Sequence, residues 1–390
     1  MSEVNTDHLI SLSEPEISGN EWKYIKDCLD TGWVSSVGSY VDRFEEVVAD
    51  YVGCEYGVAV VNGTSALHLS LLVCEVKSGD EVIVPTLTFV ATANVAKYCG
   101  AEPVFIDCYH DTLCVDTEKL RLFLEMECIR KNDGYSYNMK SDRRVKAIIV
   151  VHMFGHPAEM DDLIELSRLY NIDIIEDATE SIGSEYKGQK TGTFGRVGCL
   201  SFNGNKIITT GGGGMVVTND EKLAKRVKHL STQAKTDSIE YEHDEIGYNY
   251  RLGNIQAAMG LGQMENLEEF IALKRKNALR YQNLFSGSDS LEFIWEKPWV
   301  KSNFWFYTVK VPKAHKKPLI DYLLSRNIQV RPVWKPMHSL SMYKDCQAYK
   351  VESALNVYDT AINLPCSIGM TVEDMDFVAE NIKGYFISKG

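Results

Sequence analysis

Lys206 stands in the run Ser201-Phe202-Asn203-Gly204-Asn205-Lys206-Ile207-Ile208-Thr209-Thr210, and four glycines, Gly211 to Gly214, follow directly. A serine- and asparagine-rich turn on one side and a glycine run on the other leave room for backbone or a ligand to come close to one amine. Twenty-nine residues upstream, the apolar stretch Ile172-Asp173-Ile174-Ile175-Glu176 ends in Asp177. A lysine can hold an aldehyde as a Schiff base, and a carboxylate can keep a pyridine nitrogen protonated so that its ring accepts electrons. Those two demands belong to pyridoxal 5'-phosphate (PLP). Taken singly, each residue has an ordinary reading: a solvated loop lysine and a helix-capping aspartate.

Two further segments change the balance. In Val60-Val61-Asn62-Gly63-Thr64-Ser65-Ala66-Leu67-His68 an apolar strand, Gly57 to Val61, breaks at Asn62-Gly63 and a helical pattern starts at Thr64. Free amides at a helix start, aided by the hydroxyls of Thr64 and Ser65, make a phosphate site without a basic residue. In Val82-Ile83-Val84-Pro85-Thr86-Leu87-Thr88-Phe89 another short strand ends at Pro85, and Phe89 falls in the turn after it. An aromatic ring there can stack on a flat ring or simply fill core.

The order of these motifs resembles the DegT/DnrJ/EryC1/StrS sugar aminotransferases, PLP enzymes of the aspartate-aminotransferase fold. Nearly the whole chain carries the likeness. It begins at Leu12-Ser13-Glu14-Pro15 and Gly32-Trp33-Val34-Ser35-Ser36-Val37-Gly38. It continues through Val151-His152-Met153-Phe154-Gly155-His156-Pro157 and Glu176-Asp177-Ala178-Thr179-Glu180-Ser181, then Gly247-Tyr248-Asn249-Tyr250-Arg251-Leu252. It ends at Arg331-Pro332-Val333-Trp334-Lys335-Pro336-Met337-His338.

The resemblance implies that Lys206 and Asp177 are catalytic, with Phe89 over one ring face. It gives phosphate binding to Thr64, Ser65 and Ser201, with Gly63 and Asn203 in the same cofactor-binding set. Asn249 would reach the phosphate held by a second subunit, making the active unit a homodimer; Arg251 could take that place or contact the substrate. Trp334, Lys335 and His338 are candidate sugar contacts. Glu180 stands near the ring hydroxyl where many relatives carry Gln or His. Two anionic oxygens side by side repel, so one of them should hold a proton, and the expectation is a raised Glu180 pKa.

The implied reaction passes an amino group from glutamate to C4 of a nucleotide-linked 4-keto-6-deoxy sugar. The UDP-N-acetyl type (bacillosamine or legionaminic acid routes) is favoured over the GDP-perosamine type on Ser231-Thr232-Gln233-Ala234-Lys235 and the insertion at 128–144. A PLP-dependent sugar dehydratase of the same family would replace the lysine with histidine, and Lys206 speaks against it. A non-catalytic cofactor-binding regulator would lack Lys206 or Asp177.

The elements that must position these residues alternate between strand and helix patterns from about Trp22 to Gly262. Apolar strand-length runs occur at 57–61, 81–85, 103–106, 145–151, 172–175, 198–202 and 214–218. This predicts an α/β fold, a mostly parallel central sheet covered by helices, that is, a PLP-dependent transferase of fold type I. In such sheets ligands sit beyond the carboxyl ends of the strands, where Gly63, Phe89, Asp177 and Lys206 all fall. The division expected is 1–264 for the large PLP-binding domain, with 1–20 packing on the small domain, and 265–390 for a smaller α/β domain. Residues 128–144 read as a surface loop, and 254–285 as one long helix.

At 390 residues the chain can bury a large core, and 45% hydrophobic with 24% charged residues is an ordinary soluble composition. A net charge of −13 argues against general nucleic-acid binding. No apolar stretch reaches the roughly 20 residues that cross a bilayer, and the polar start Met1-Ser2-Glu3-Val4-Asn5 has no signal-peptide pattern. Ten cysteines without a CxxC pair suggest reduced thiols in the cytoplasm and no zinc site. His152 and His156 follow a strand in a loop, so no metal is expected there. Gly211–Gly214 precedes a strand, where a dinucleotide fingerprint needs a helix, and no GxxxxGK[ST] loop is present.

Overall fold

The structure, a computed structural model, describes residues 8–237 and 239–389. The polar start at Met1–Asn5 lies outside the described residues. The central feature is a ten-stranded sheet. Its main path runs Tyr56–Val60, Gly214–Thr218, Val197–Ser201, Asp173–Asp177, Arg143–Val151, Glu81–Pro85, Glu102–Ile106 and Ala348–Tyr349. Along this path pairing is parallel from Val197–Ser201 onward, and the two pairs made by Gly214–Thr218 are antiparallel. Glu81–Pro85, Val197–Ser201 and Gly214–Thr218 are buried at every position. That is the expected state of strands covered by helices on both faces, and it explains their unbroken apolar runs.

Two of the covering helices shape the site. Gly63–Val73 buries residues on every side, as its nearly unbroken Ala-Leu-His-Leu-Ser-Leu-Leu sequence requires. Asn62 caps it by accepting the Ser65 N–H at 2.8 Å. Val90–Tyr98 starts directly after Phe89. The loop carrying Lys206 joins two antiparallel strands, and its ends are closed by Phe202 N–H to Gly213 O and Thr210 N–H to Phe202 O, both 2.9 Å. Gly214 is required where this loop returns, because a Cβ there would lie 2.5 Å from the Asn62 carbonyl carbon.

The second part of the chain is less separate than its sequence suggests. Glu292–Phe293, Tyr307–Lys310, Ala361–Leu364 and Arg331–Pro332 form a four-stranded sheet of their own, flanked by helices Lys313–Leu324 and Val372–Ile387. Ala348–Tyr349, however, extends the large sheet. In the opposite sense, Ile10 pairs with Ile328, and the Cys366 N–H reaches Leu12 O at 2.7 Å. Ile10 and Leu12 thus bond to segments that flank the strands of the small sheet.

Two expectations need correction. Residues 128–144 hold a hairpin, Cys128–Arg130 with Ser136–Asn138, turned at Asp133-Gly134 with Gly134 at φ +85° and paired onto Arg143–Arg144. An Asp-Gly pair between short strands is a turn signal in its own right. The single helix over 254–285 is two, Asn254–Met264 and Leu267–Phe285, because Asn266 leaves helical geometry and Glu268 and Glu269 begin a new first turn.

Candidate active site

A cleft of about 330 Å³ opens at the carboxyl ends of the parallel strands. It is at the small end of the size range for cofactor sites, roughly 300 to 1,000 Å³. Gly63, Thr64, Phe89, Asp177, Glu180, Ser201, Asn203, Lys206 and Trp334 all line it. Residues from five separate stretches of sequence thus meet around one space.

At the floor lies Asp177. Its Oδ2 accepts from Thr92 Oγ1 at 2.8 Å, and its Oδ1 accepts from Thr179 Oγ1 at 2.6 Å. Both hydroxyls donate, so the carboxylate is fixed in direction while remaining an acceptor. Glu180 follows one turn later: its Oε2 accepts the Phe154 N–H at 2.8 Å, and its Oε1 stands 3.8 Å from Lys206 Nζ. Phe154 is held at φ +54°, an unusual conformation for an aromatic residue, and this turns its N–H toward Glu180.

Burial pushes the Glu180 carboxyl up to about 7, against the opposing pull of the Lys206 charge and the Phe154 N–H. Desolvation is the main cause of that rise. Burial likewise lowers the Lys206 amine, opposed by Glu180 and then Asp177. One amine between two carboxylates, out of bulk water, is a proton-exchanging group of the kind active sites use.

The other wall is the start of helix Gly63–Val73. Asn62 uses its side chain on the Ser65 N–H and its carbonyl on the Ala66 N–H. The amides of Gly63 and Thr64, at the first two helical positions, have no acceptor within the helix. A Cβ on Gly63 would come within 2.9 Å of Thr179 Cγ2 and 3.0 Å of Ser201 Cβ, so the wall is as close as backbone allows. Free amides and two hydroxyls for a phosphate, an amine for an aldehyde and a fixed carboxylate for a ring nitrogen are what PLP needs; the residues fit it. At the mouth, half-exposed Phe89 meets Trp334 edge-on, with ring centres 5.4 Å apart.

Five predicted residues are not in the cleft. Ser65 is buried beneath it, with its N–H spent on Asn62. Arg251 is corrected outright: its Nη1 pairs with Glu45 Oε1 at 2.6 Å and donates to Ala59 O at 3.0 Å, so the guanidinium is buried and occupied. Lys335 is exposed beside Trp334. His338 Nδ1 is bonded to Thr86 Oγ1 at 2.6 Å. Asn249 is exposed and bridged by backbone to Thr232, away from this cleft.

Conversely, the cleft includes Asn62, Thr92, Thr179, Asn205 and Trp305, which sequence reasoning did not assign. Thr179 had a signal, a hydroxyl two residues after a carboxylate, a common local turn. Trp305 had none.

Fold and cleft together define a PLP-dependent enzyme of fold type I. The chain belongs to the DegT/DnrJ/EryC1/StrS aminotransferase family, whose sequence profile matches residues 15–383. It is 37% identical to GDP-perosamine synthase of Escherichia coli O157:H7 over 97% of this chain and 99% of that one. It is 32% identical to UDP-4-amino-4,6-dideoxy-N-acetyl-beta-L-altrosamine transaminase of Campylobacter jejuni subsp. jejuni serotype O:23/36, over 92% of each. Helicobacter pylori PseC, an aminotransferase involved in the biosynthesis of pseudoaminic acid, superposes with a TM-score of 0.88 at 27% identity, covering 98% of this chain and 100% of that chain. This protein is accordingly a PLP-dependent sugar aminotransferase. Among the described residues, no helix is long and apolar enough to cross a membrane.

Proposed function

We propose that this enzyme moves an amino group from glutamate to C4 of a nucleotide-linked 4-keto-6-deoxy sugar, with Lys206 and Asp177 as its catalytic residues. The supporting observation is that one amine, one threonine-fixed carboxylate and one uncapped helix start share a single small cleft. When bound, PLP supplies an aldehyde carbon for an amine and a conjugated ring that takes up an electron pair left by a departing proton.

The chain's residues do the rest. Lys206 Nζ anchors the cofactor and, once released, carries a proton away from one carbon and returns it to another. Asp177 holds a proton at the ring nitrogen, its direction set by Thr92 and Thr179. The Gly63 and Thr64 amides, with the hydroxyls of Thr64 and Ser201, take the phosphate. Glu180 holds a proton next to Lys206 Nζ. Phe89 and Trp334 exclude water at the mouth and offer apolar surface to the sugar.

For the nucleotide, the higher identity to the GDP-perosamine synthase, 37% against 32%, moves the weight toward a GDP-linked sugar. The insertion at 128–144 no longer argues for the UDP-N-acetyl type, since it pairs onto the strand 143–151 and contributes nothing to the cleft lining. The UDP-N-acetyl reading stays as the second, on the full-length similarity to the Campylobacter transaminase.

A homodimer with shared sites belongs to the same proposal. Asn249 sits exposed between Tyr248 and Tyr250, which are stacked at 5.0 Å, and Ile246 and Tyr241 nearby are strongly exposed apolar side chains. A cytoplasmic setting accords with ten free cysteines.

The test is to offer glutamate with a panel of GDP-, UDP- and dTDP-linked 4-keto sugars and weigh the products. An amino product from the GDP-linked sugar alone supports the first reading, and one from the UDP-linked sugar alone supports the second. No amino product from any member would refute the C4 transfer. Borohydride fixation followed by peptide mapping tests Lys206, and sedimentation of the active species tests the dimer.

A further inference from the structure

No role assigned so far uses Trp305, although it touches the central amine. Lys206 Nζ lies 3.6 Å from the centre of its indole ring. The indole Nε1–H donates to the carbonyl of Asn205, the residue before Lys206, at 2.7 Å, and Ser13 Oγ donates to the same carbonyl at 3.3 Å. The Trp305 backbone is held as firmly. Its N–H goes to Asn303 Oδ1 at 2.9 Å, and its carbonyl accepts from the buried Lys274 Nζ at 2.8 Å. Asn303 in turn donates its side-chain amide to the carbonyls of Glu180, at 3.1 Å, and Ile182, at 3.0 Å. One tryptophan thus ties the lysine loop to the turn that carries Glu180.

Plain core filling does not account for this arrangement. Filling needs volume, which phenylalanine would supply. Here the ring presents its face to an amine and its only polar atom to the neighbouring carbonyl. The ionisable groups lining the cleft are Asp177, Glu180 and Lys206 itself, and Lys274 stands behind the Trp305 backbone. The amine therefore has a carboxylate on one side and an aromatic face on the other.

We propose that Trp305 is the positioning residue for the Lys206 amine: its indole face receives that nitrogen whenever it is not bonded to the cofactor. The proposal rests on Lys206 being the cofactor-bearing lysine. An aromatic face attracts an ammonium more than a neutral amine. Trp305 accordingly opposes the effect of burial and, once the freed nitrogen has taken up a proton, holds it in place beside Glu180.

The experiment uses the full chain with its cofactor removed by dialysis. Lys206 is reductively methylated with formaldehyde and cyanoborohydride across a pH series, and its peptide is followed by mass spectrometry. Trp305→Leu, with folding checked by circular dichroism, should lower the pH midpoint of Lys206 reactivity by about one unit, a tenfold change in its protonation equilibrium. Trp305→Phe keeps a ring face and should lower it by less. An unmoved or raised midpoint in folded Trp305→Leu overturns the proposal. If that variant does not fold, the Phe variant decides alone, and no fall in its midpoint overturns it. Borohydride fixation of the cofactor in the unaltered protein separates the two assignments. Label on another lysine removes the Lys206 reading, whereas label on Lys206 with an unmoved midpoint removes Trp305 only.

Discussion

Glu176 and Glu180 are four residues apart and both buried, yet their surroundings differ in kind. Glu176 Oε1 accepts the N–H groups of Phe194 and Gly195, each at 2.6 Å. Its Oε2 accepts from Gly192 N–H at 2.7 Å and His152 Nε2 at 3.0 Å. The His152 Nδ1 accepts the Ala158 N–H, so its Nε2 carries the proton that it gives to Glu176. Glu180 has a single N–H, from Phe154, and a lysine at 3.8 Å. Burial without full hydrogen bonding leaves a group able to change its protonation; burial with every oxygen satisfied makes a structural pin. The first faces the cleft and the second braces the loop behind it.

The comparison breaks first if the cleft side is inert. Lys206→Ala should cost turnover on the order of 10⁴-fold, read as amino product per minute, while leaving the fold intact by circular dichroism. Asp177→Asn keeps one oxygen that can accept a threonine hydroxyl and should still bind cofactor, yet lose turnover by roughly 10²- to 10³-fold. Near-normal turnover in either variant would remove the reactive half of the contrast.

The structural half predicts the opposite pattern. Glu176→Gln leaves buried N–H donors facing an NH₂ group and should cost about 3 kcal/mol in urea unfolding. The folded fraction should keep its pH–rate profile. A stability unchanged within error would show that the Glu176 network is not a pin.

Glu180 sharpens the contrast through pH. Its carboxyl is raised to about 7 in the folded protein, so the folded state binds this proton more tightly than the unfolded chain does. Ionising it therefore costs stability. The cost is absent below roughly pH 4, grows as pH rises and is complete above about 7. Glu180→Gln should be more stable than the parent at pH 8, by up to roughly 3 kcal/mol, with the gap closing toward pH 4.5. It should also lose the pH–rate limb near 7. A gap independent of pH would show that Glu180 is ionised throughout, as a pinned carboxylate would be.

Much of the site was legible because its parts are local. Asn62-Gly63-Thr64 announces a helix start, Asp177 closes a buried strand, and Lys206 sits between a turn and a glycine run; each signal spans fewer than about a dozen residues. The misreadings have a common origin. Arg251 looked available because its sequence does not show that Glu45, far upstream, takes its guanidinium. The hairpin inside 128–144 was hidden by a polar composition that masked its Asp-Gly turn. The helix break at Asn266 was missed because an uninterrupted apolar period outweighed one N-cap residue.

What the sequence determined by itself is the set of reactive groups and the strand ends that carry them, since strand, turn and helix start are encoded by neighbours. Only the tertiary structure decided which aromatic ring faces the amine, because Trp305 and Asn205 are 100 residues apart. It also decided which carboxylate turns an oxygen toward the lysine. Such choices depend on how two packed regions meet, and no local periodicity records that.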